Sequence, residues 1–451
     1  MSKFEQSFKI SLVVVLISMF CFENIYGATV HDVKSSRRES NLVEIAVPMF
    51  EAYSSANDRL GEEIAEVIGS DLKFTGQFAP TQNMDFLREA YEKDNATGKI
   101  NFDEWRTLAR HFLVKGDLEV IQGEKFVVNM YLYNVNTQRR LLQRKYEGVL
   151  SQSRLVAHML SDDILKHIAN DVGVATTRIA YVSRNGRHKE LYLMDYDGGN
   201  SSRLTNDNSL VLFPHFHQKN NEILFTSYRD RNPDLYLLNL STRTRKDISR
   251  RLGLNTTGEF TPNGREVVFS LSYRGNSEIY IINKDGNNLR RLTRAISIET
   301  SPTLSPDGRY IAYTSDRSGS PQIYTMKRDG SSAKRLTYSG NYNASASWSP
   351  NNDYIAYSSG RGSKFNIALI DSKDIYVNRS REVRYLTNSQ GSNESPSFSH
   401  NGRHLAFSSD RTGVTQIYIM NRNGKNQQQS SRERGGGFSP SWGSSILDLM
   451  K

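Results

Sequence analysis

LSPDGRYIAYTSDRSGSPQIYTMKRDGSSAKRLT, Leu304 to Thr337, is the stretch that decides the fold. Closely similar strings start at Trp348 and Phe398. The copy opens on a strand that ends in SPTLSPDG (Ser301 to Gly308). Pro306 presets φ there, Asp307 can accept from its own backbone, and Gly308 supplies positive φ. RYIAYTS (Arg309 to Ser315) predicts a second strand, with Ile311 and Tyr313 on one face and Ala312 on the other. Neither face is polar, so the strand is covered on both sides. QIYTMK (Gln322 to Lys327) predicts a third strand, Asp329-Gly330 a hairpin turn, and AKRLT (Ala333 to Thr337) a fourth strand.

Aligned on the apolar residue before the turn, the copies fall at Phe216, Phe260, Leu304, Trp348, Phe398 and Phe438, in steps of 44, 44, 44, 50 and 40 residues. A period of about 40–45 residues is that of four-stranded propeller blades. The second-strand triplet recurs six times, from Ile179, Ile223, Val267, Ile311, Ile355 and Leu405. The two series are out of phase. The array opens on a second strand with no first strand before it, and it closes on FSPSW (Phe438 to Trp442), a first strand with no second after it. Inserting that last strand into the blade begun at Ile179 closes the ring and removes its open edges. The expected fold is a small α/β N-terminal domain followed by an all-β six-bladed β-propeller closed by the C-terminal strand.

The remaining boundaries follow from composition. Residues 1–27 read as a secretory signal: Lys3 and Lys9, an apolar run from Ile10 to Phe22, then the small Gly27. The run is shorter than the ~20 residues of a spanning helix, so the mature chain is expected not to insert into a membrane. Residues 28–173 form the α/β domain. Asn41 to Phe50 reads as a buried strand, and Ala56 to Lys73 as a helix with Leu60, Ile64, Val67, Ile68 and Leu72 on one side. A short strand near Phe78 and a helix around Phe102 to Phe112 come next. Three antiparallel strands with turns at Gly123 and Asn136 follow, then a helix within Ser151 to Gly173. A linker spans 174–177, the propeller 178–443 and a tail 444–451.

Cys21, the one cysteine, lies inside the signal behind the bulky Phe20, which argues against lipidation. The mature chain is then without disulfides, thiolate metal sites or a cysteine nucleophile. The net charge is +10, but its basic residues are scattered, and export argues against nucleic acid as a partner. No nucleophile elbow, H-E-x-x-H or phosphate-binding glycine loop is present. His215-x-His217 and DYDGG (Asp195 to Gly199) read as structural parts of the repeat, not as metal sites. The SDRSG loop at Ser315 and its twin SDRTG at Ser409 recur between blades, as a structural loop does and a catalytic dyad does not. No catalytic residue, cofactor site or metal site is therefore expected.

Strand alternation puts the loops after strands two and four on one face of the ring and the short turns on the other. The loops after strand four differ in every blade, and variation on a constant frame is where binding specificity sits. An exported α/β domain, a short linker and six such blades resemble the TolB family of the Tol–Pal cell-envelope system. TTRIAYVSRNGRHKELYLMDYDG (Thr176 to Gly198) is similar to that family's entry into its first blade. The resemblance implies a periplasmic, non-enzymatic adaptor supporting outer-membrane integrity and envelope constriction at division. It implies Pal, the peptidoglycan-associated lipoprotein, on the channel-face loops at Asn255, Thr257, Glu299, Thr300, Asn343, Asn393 and Glu394. It further implies TolA, the inner-membrane partner, at Ala28, Thr29, Val30, His31, Asp32 and Val33, with room for other envelope proteins. The segment ATVHDVKSSRR is more polar than the family leads one to expect, and Leu254 stands where a polar contact is expected. The alternative reading is an exported propeller enzyme or carbohydrate-binding protein acting on cell-wall material.

Overall fold

The computed structural model describes residues 42–121, 124–376 and 382–447. The expected signal, the Ala28 to Val33 segment and the turn at Gly123 lie outside them.

Asp58 to Phe74 form helix α1, and its Ile64, Ile68 and Leu72 are buried on one side as their spacing dictates. A sheet receives them. Its strands are β1 (Val43–Ala46), β2 (Glu51–Ala52), β3 (Phe78–Pro80), β4 (Phe112–Ile121), β5 (Lys125–Asn134) and β6 (Arg139–Val149). The order is β3-β1-β4-β5-β6, with β2 beside β4. β1 runs parallel to β3 and β4, while β4, β5 and β6 form an antiparallel meander. The meander answers the alternation of apolar residues from Phe112 onward: Val114, Leu118, Val128, Met130 and Leu132 all turn into the core under the helices. A helix absent from the sequence reading, α2 (Met84–Thr97), precedes α3 (Phe102–Leu108). Its ends are nevertheless written in the sequence. Asn83 Oδ1 accepts from the Phe86 N–H at 3.1 Å, and Gly98 ends it in the left-handed region. The last helix, α4 (Ser153–Ala169), packs against α1.

Six four-stranded sheets follow. The first strand of the first blade is Phe438–Ser445, and it pairs antiparallel with the second strand, Thr177–Asn185. The ring is therefore closed by the C-terminal strand. The register corrects the position of the last copy. Trp442 lies opposite Ile179, as Phe398 lies opposite Leu405 and Trp348 opposite Ile355. The residue equivalent to Phe398 is therefore Trp442, not Phe438, and that step is 44 residues, not 40. The matching proline is Pro440, inside the strand, equivalent to Pro396 and not to the turn proline of SPDG.

Each first strand carries a bulge that composition does not announce. Phe213, Thr257, Ser301, Ser345, Ser395 and Ser439 all have φ between 49° and 54°. The ladder register shifts at every one of these bulges. A bulge re-aims the strand and increases its twist, and here the backbone it frees is used between blades. The Ser395 N–H donates to Ser358 Oγ at 2.9 Å and the Ser439 N–H to Ser408 Oγ at 3.0 Å. Farther along the same strands, the N–H groups of Phe216, Leu304, Phe398 and Trp442 donate to Ser441, Glu259, Ser347 and Ser397 of the preceding blade. Inner strand is thus bonded to inner strand across the closing seam as well.

Five of the six fourth strands are shorter than the sequence suggests, two residues each, while Arg245–Ser249 keeps five. AKRLT contributes only Lys334–Arg335 to the ladder. The rest of the motif has another task. Thr337 Oγ1 accepts from the Ile323 N–H at 2.9 Å and donates to Gln322 Oε1 at 2.8 Å. The same hydroxyl-to-backbone bond recurs at Thr205, Thr293, Thr387 and Ser431. The arginines of the SDRSG and SDRTG loops lie over rings of strands two and three: Arg317 is 4.8 Å from the Tyr324 centroid and Arg411 is 4.5 Å from that of Tyr418.

The turn after strand three explains its glycine. Gly330 has φ of 90°, and a Cβ there would meet the Leu292 carbonyl oxygen of the preceding blade at 2.4 Å. Gly330→Ala is expected to lower stability by about 2 kcal/mol or more, adding a blade-to-blade clash to the left-handed strain. A urea melt checks this, and Gly319→Ala, where a Cβ has open space, is the control for backbone strain alone.

The α/β domain sits on the turn face of the ring. Phe74, at the end of α1, stacks on His404 at 4.8 Å and packs beside Tyr196 at 5.4 Å. Asn401 Nδ2 donates to the Val172 carbonyl at 2.8 Å, and Arg403 pairs with Asp171 at 3.1 Å. Tyr196, Asn401 and Arg403 all lie in or beside the short turns of the first and last blades. The opposite face, with the long loops, is left uncovered among the described residues.

Candidate partner-docking face

The loop face is built from the segments after second strands (228–233, 272–277, 316–321, 410–415) and those after fourth strands (204–210, 250–254, 292–298, 336–341, 386–392). Buried polar pins hold them in place. Four of the seven residues nominated from the sequence are such pins. Asn255 accepts from Ser249 Oγ at 2.6 Å and donates to the carbonyls of Pro233, Arg251 and Gly253. Glu299 accepts from Ser315 Oγ at 2.9 Å and pairs with Arg317 at 3.0 Å. Asn343 donates to Gln322 Oε1 and the Ser339 carbonyl, each at 2.8 Å. Asn393 Oδ1 accepts from Arg411 at 2.8 Å. All four are fully buried, so each shapes its loop from below.

The other three differ. Thr257 is the bulge residue of its strand, half-buried, with Oγ1 2.7 Å from Ser270 Oγ. Thr300 is half-buried and Glu394 exposed. Glu394 accepts from Ser392 Oγ at 3.0 Å, and the protein packed around its carboxylate raises its pKa above the ordinary value by desolvation, although part of the residue is open to solvent. Asn343→Ala is expected to cost about 1–3 kcal/mol by unpairing a buried acceptor. Thermal melting would show this loss, whereas a pure contact residue would leave the melt unchanged.

The face carries a feature that the sequence reading missed. Among the described residues, seven of the eight exposed large apolar side chains of the propeller lie in its loops, Leu210, Leu252, Tyr273, Ile296, Ile298, Tyr338 and Val414, and the eighth, Phe213, is the bulge residue of the strand that follows one of them. Leu252 is 78% exposed and Ile296 is fully exposed at 103%. Half of them (Leu252, Tyr273, Ile296 and Ile298) belong to loops around one sector of the ring. Arg231, Arg274 and Arg294 stand exposed among these loops without a carboxylate in ion-pair range among the described residues. Apolar side chains interleaved with unpaired guanidinium groups suit a protein surface with an apolar knob and an acidic rim. The signal was legible as RLGLN and RAISIE, apolar residues in segments too short and polar to be strands.

The two histidines do not converge on a ligand position. His217 Nδ1 accepts from the Lys219 and Asn220 N–H groups at 2.9 and 3.1 Å, and its ring packs on Phe260 at 4.5 Å. Burial holds its pKa down to about 4. His215 Nε2 is 3.5 Å from Glu259. In the DYDGG turn, Asp195 accepts from Asn200 Nδ2 at 2.7 Å and Asp197 pairs with Arg154 of α4. That turn is an interdomain contact.

Architecture and surface together define a two-domain propeller protein: an α/β domain docked on the turn face of six blades, with an apolar, basic loop face opposite. Its residues 32–141 match the TolB amino-terminal domain and residues 165–377 the TolB beta propeller domain. The chain belongs to the TolB family of the Tol–Pal system. It is 36% identical over 193 residues to the Tol-Pal system protein TolB of Syntrophotalea carbinolica, covering 40% of this chain and 45% of that one. It is 33% identical over 218 residues to that of Rickettsia africae, covering 48% of each. The chain thus spans about half the length of the curated relatives it matches. The crystal structure of TolB from Acinetobacter baumannii superimposes with a TM-score of 0.76 at 28% identity, covering 89% of this chain and 97% of that one.

Proposed function

We propose that the chain is a non-catalytic periplasmic adaptor of the Tol–Pal system. Its loop face takes Pal, and the segment Ala28 to Val33 reaches TolA, so that envelope layers are joined through one molecule during outer-membrane maintenance and constriction at division. The observation that carries the docking half is the concentration of exposed large apolar propeller side chains in the loops of one face, seven of eight among the described residues. The α/β domain occupies the other face and leaves this one for a macromolecule. Buried pins such as Asn255 and Glu299 hold the loops rigid, which limits the ordering cost of binding. The contacts to Pal are then made by the exposed apolar residues together with Thr257, Thr300 and Glu394, while Asn255, Glu299, Asn343 and Asn393 act through loop shape. No helix among the described residues is long and apolar enough to cross a membrane.

Calorimetric titration with the soluble domain of Pal should give saturable one-to-one binding. A chain starting at Asn41 should keep that binding and lose TolA. Binding to purified wall fragments in place of Pal would overturn the adaptor reading and favour the carbohydrate-binding alternative.

A further inference from the structure

One buried cluster between the two domains has no part in either docking surface. His158 of α4 is almost completely buried, and its Nδ1 lies 2.8 Å from Asp71 Oδ2 of α1. Asp71 Oδ1 accepts from the Tyr196 hydroxyl of the propeller at 2.7 Å. Asp71 is thus an acceptor on both oxygens, so His158 Nδ1 carries its proton toward it. That assignment leaves Nε2 of the neutral ring as a bare lone pair. Nε2 has no hydrogen-bond partner, and it faces Asp197 Oδ2 of the propeller turn at 3.9 Å. A lone pair facing a carboxylate in a buried interface is repulsive. One proton on Nε2 reverses the sign.

We propose that His158 is a proton-operated latch between the α/β domain and the propeller, bridging Asp71 and Asp197 when protonated and loosening the interface when neutral. The charges around it favour the bridge. Three carboxylates, Asp71, Asp162 and Asp197, are set against the single guanidinium of Arg154, and Asp195 lies behind them. Tyr196 contributes a neutral hydroxyl. Burial, the largest influence on His158, works against its charge, but the attraction and hydrogen bond of Asp71 outweigh it and the ring's pKa is raised. Asp162 is pushed up to about 6 by burial while it accepts from Ala175 and Thr176 of the interdomain connection. The Asp71 pairing lies within the α/β domain and is present whether or not the domains dock. Docking adds Asp197 Oδ2 in front of Nε2, and that added carboxylate makes the closed interface hold the proton more tightly than the open one. The part of docking that rests on Asp197 is therefore fully present below the ring's pKa in the open interface and is lost as pH rises through the higher value of the closed one. Arg154 on Asp197 keeps the domains associated, so the response is a loosening and not a release.

A proton suits the cluster better than a metal ion. Both oxygens of Asp71 are engaged, and Asp197 carries the Arg154 guanidinium. Each unit by which docking raises the ring's pKa is a factor of about ten in the docking equilibrium. The test uses the full chain and hydrogen exchange of the 174–177 amides, corrected for intrinsic rates, between pH 6 and 8.5. Exchange should rise about tenfold in the wild type and stay flat in Asp197→Asn, whose side-chain amide can donate to the neutral Nε2. The His158 ring signal in an NMR titration should move toward the ordinary value in the same variant. A flat wild type, or an equal slope in both chains, would overturn the latch. So would added zinc slowing exchange at pH 8.5 in the wild type and not in Asp197→Asn, which would make the cluster a metal site.

Discussion

Trp442→Ala should destabilise the protein by about 3–5 kcal/mol, the range for deleting a large buried aromatic side chain. The indole is fully buried, and its Nε1 donates to Thr177 Oγ1 at 2.7 Å. It shares one apolar cluster with Phe74 of the α/β domain, Tyr181 and Tyr196 of its own blade, and Ile417 and Ile419 of the last blade. One side chain therefore supports the closing strand, the seam between first and last blades, and the seat of the other domain. Removing it leaves a cavity where three parts meet. In a thermal melt the loss should appear as a drop of about 6 °C or more for a domain of this size, and Trp442→Phe should recover much of it. A melt displaced by no more than a degree or two would mean that closure does not rest on this strand.

Leu252→Asp combined with Ile296→Asp should weaken Pal binding by a hundredfold or more, since central apolar anchors each contribute about 2 kcal/mol or more. The melting temperature should not move, because neither side chain is packed in the free protein. Calorimetry on the double variant separates this from the buried pins. An Asn343→Ala chain should lose stability first and binding only as its loop shifts. Unchanged affinity in the double variant would remove the apolar sector from the docking surface.

Much of this was readable in advance where the local code is dense. The SPDG turn behaves as its residues dictate: the Gly308 N–H donates to the Ser305 carbonyl at 2.8 Å, and Asp307 Oδ1 accepts from the Arg309 N–H at 3.0 Å. The phase offset of the strands required closure, and the sheet order supplies it. The reading failed where two similar strings compete. Phe438-Ser439-Pro440 copies the letters of Leu304-Ser305-Pro306, yet its proline belongs to the bulge and not to the turn. Helix α2 gives little periodicity in the sequence because its apolar face is thin, with Leu87, Ala90 and Tyr91 carrying most of the burial.

The docking face shows a deeper limit. Asn255, Glu299, Asn343 and Asn393 are polar, lie in variable segments, and from their letters look like contact residues. Whether a polar side chain meets a partner or a buried carbonyl depends on what stands beneath it, such as Gln322 under Asn343 or Arg317 beside Glu299.

The amino-acid sequence alone determined the blade number and the turn chemistry, because these rest on backbone preferences and hydrophobic spacing that act within tens of residues, and the phase of the repeat implied closure although the strands that close the ring lie far apart in the chain. Only the tertiary structure decided which face stays open, which polar groups are pins, and that His158 meets Asp197. Those relations join residues far apart in the chain, and they arise from desolvation and hydrogen-bond satisfaction once the domains have come together.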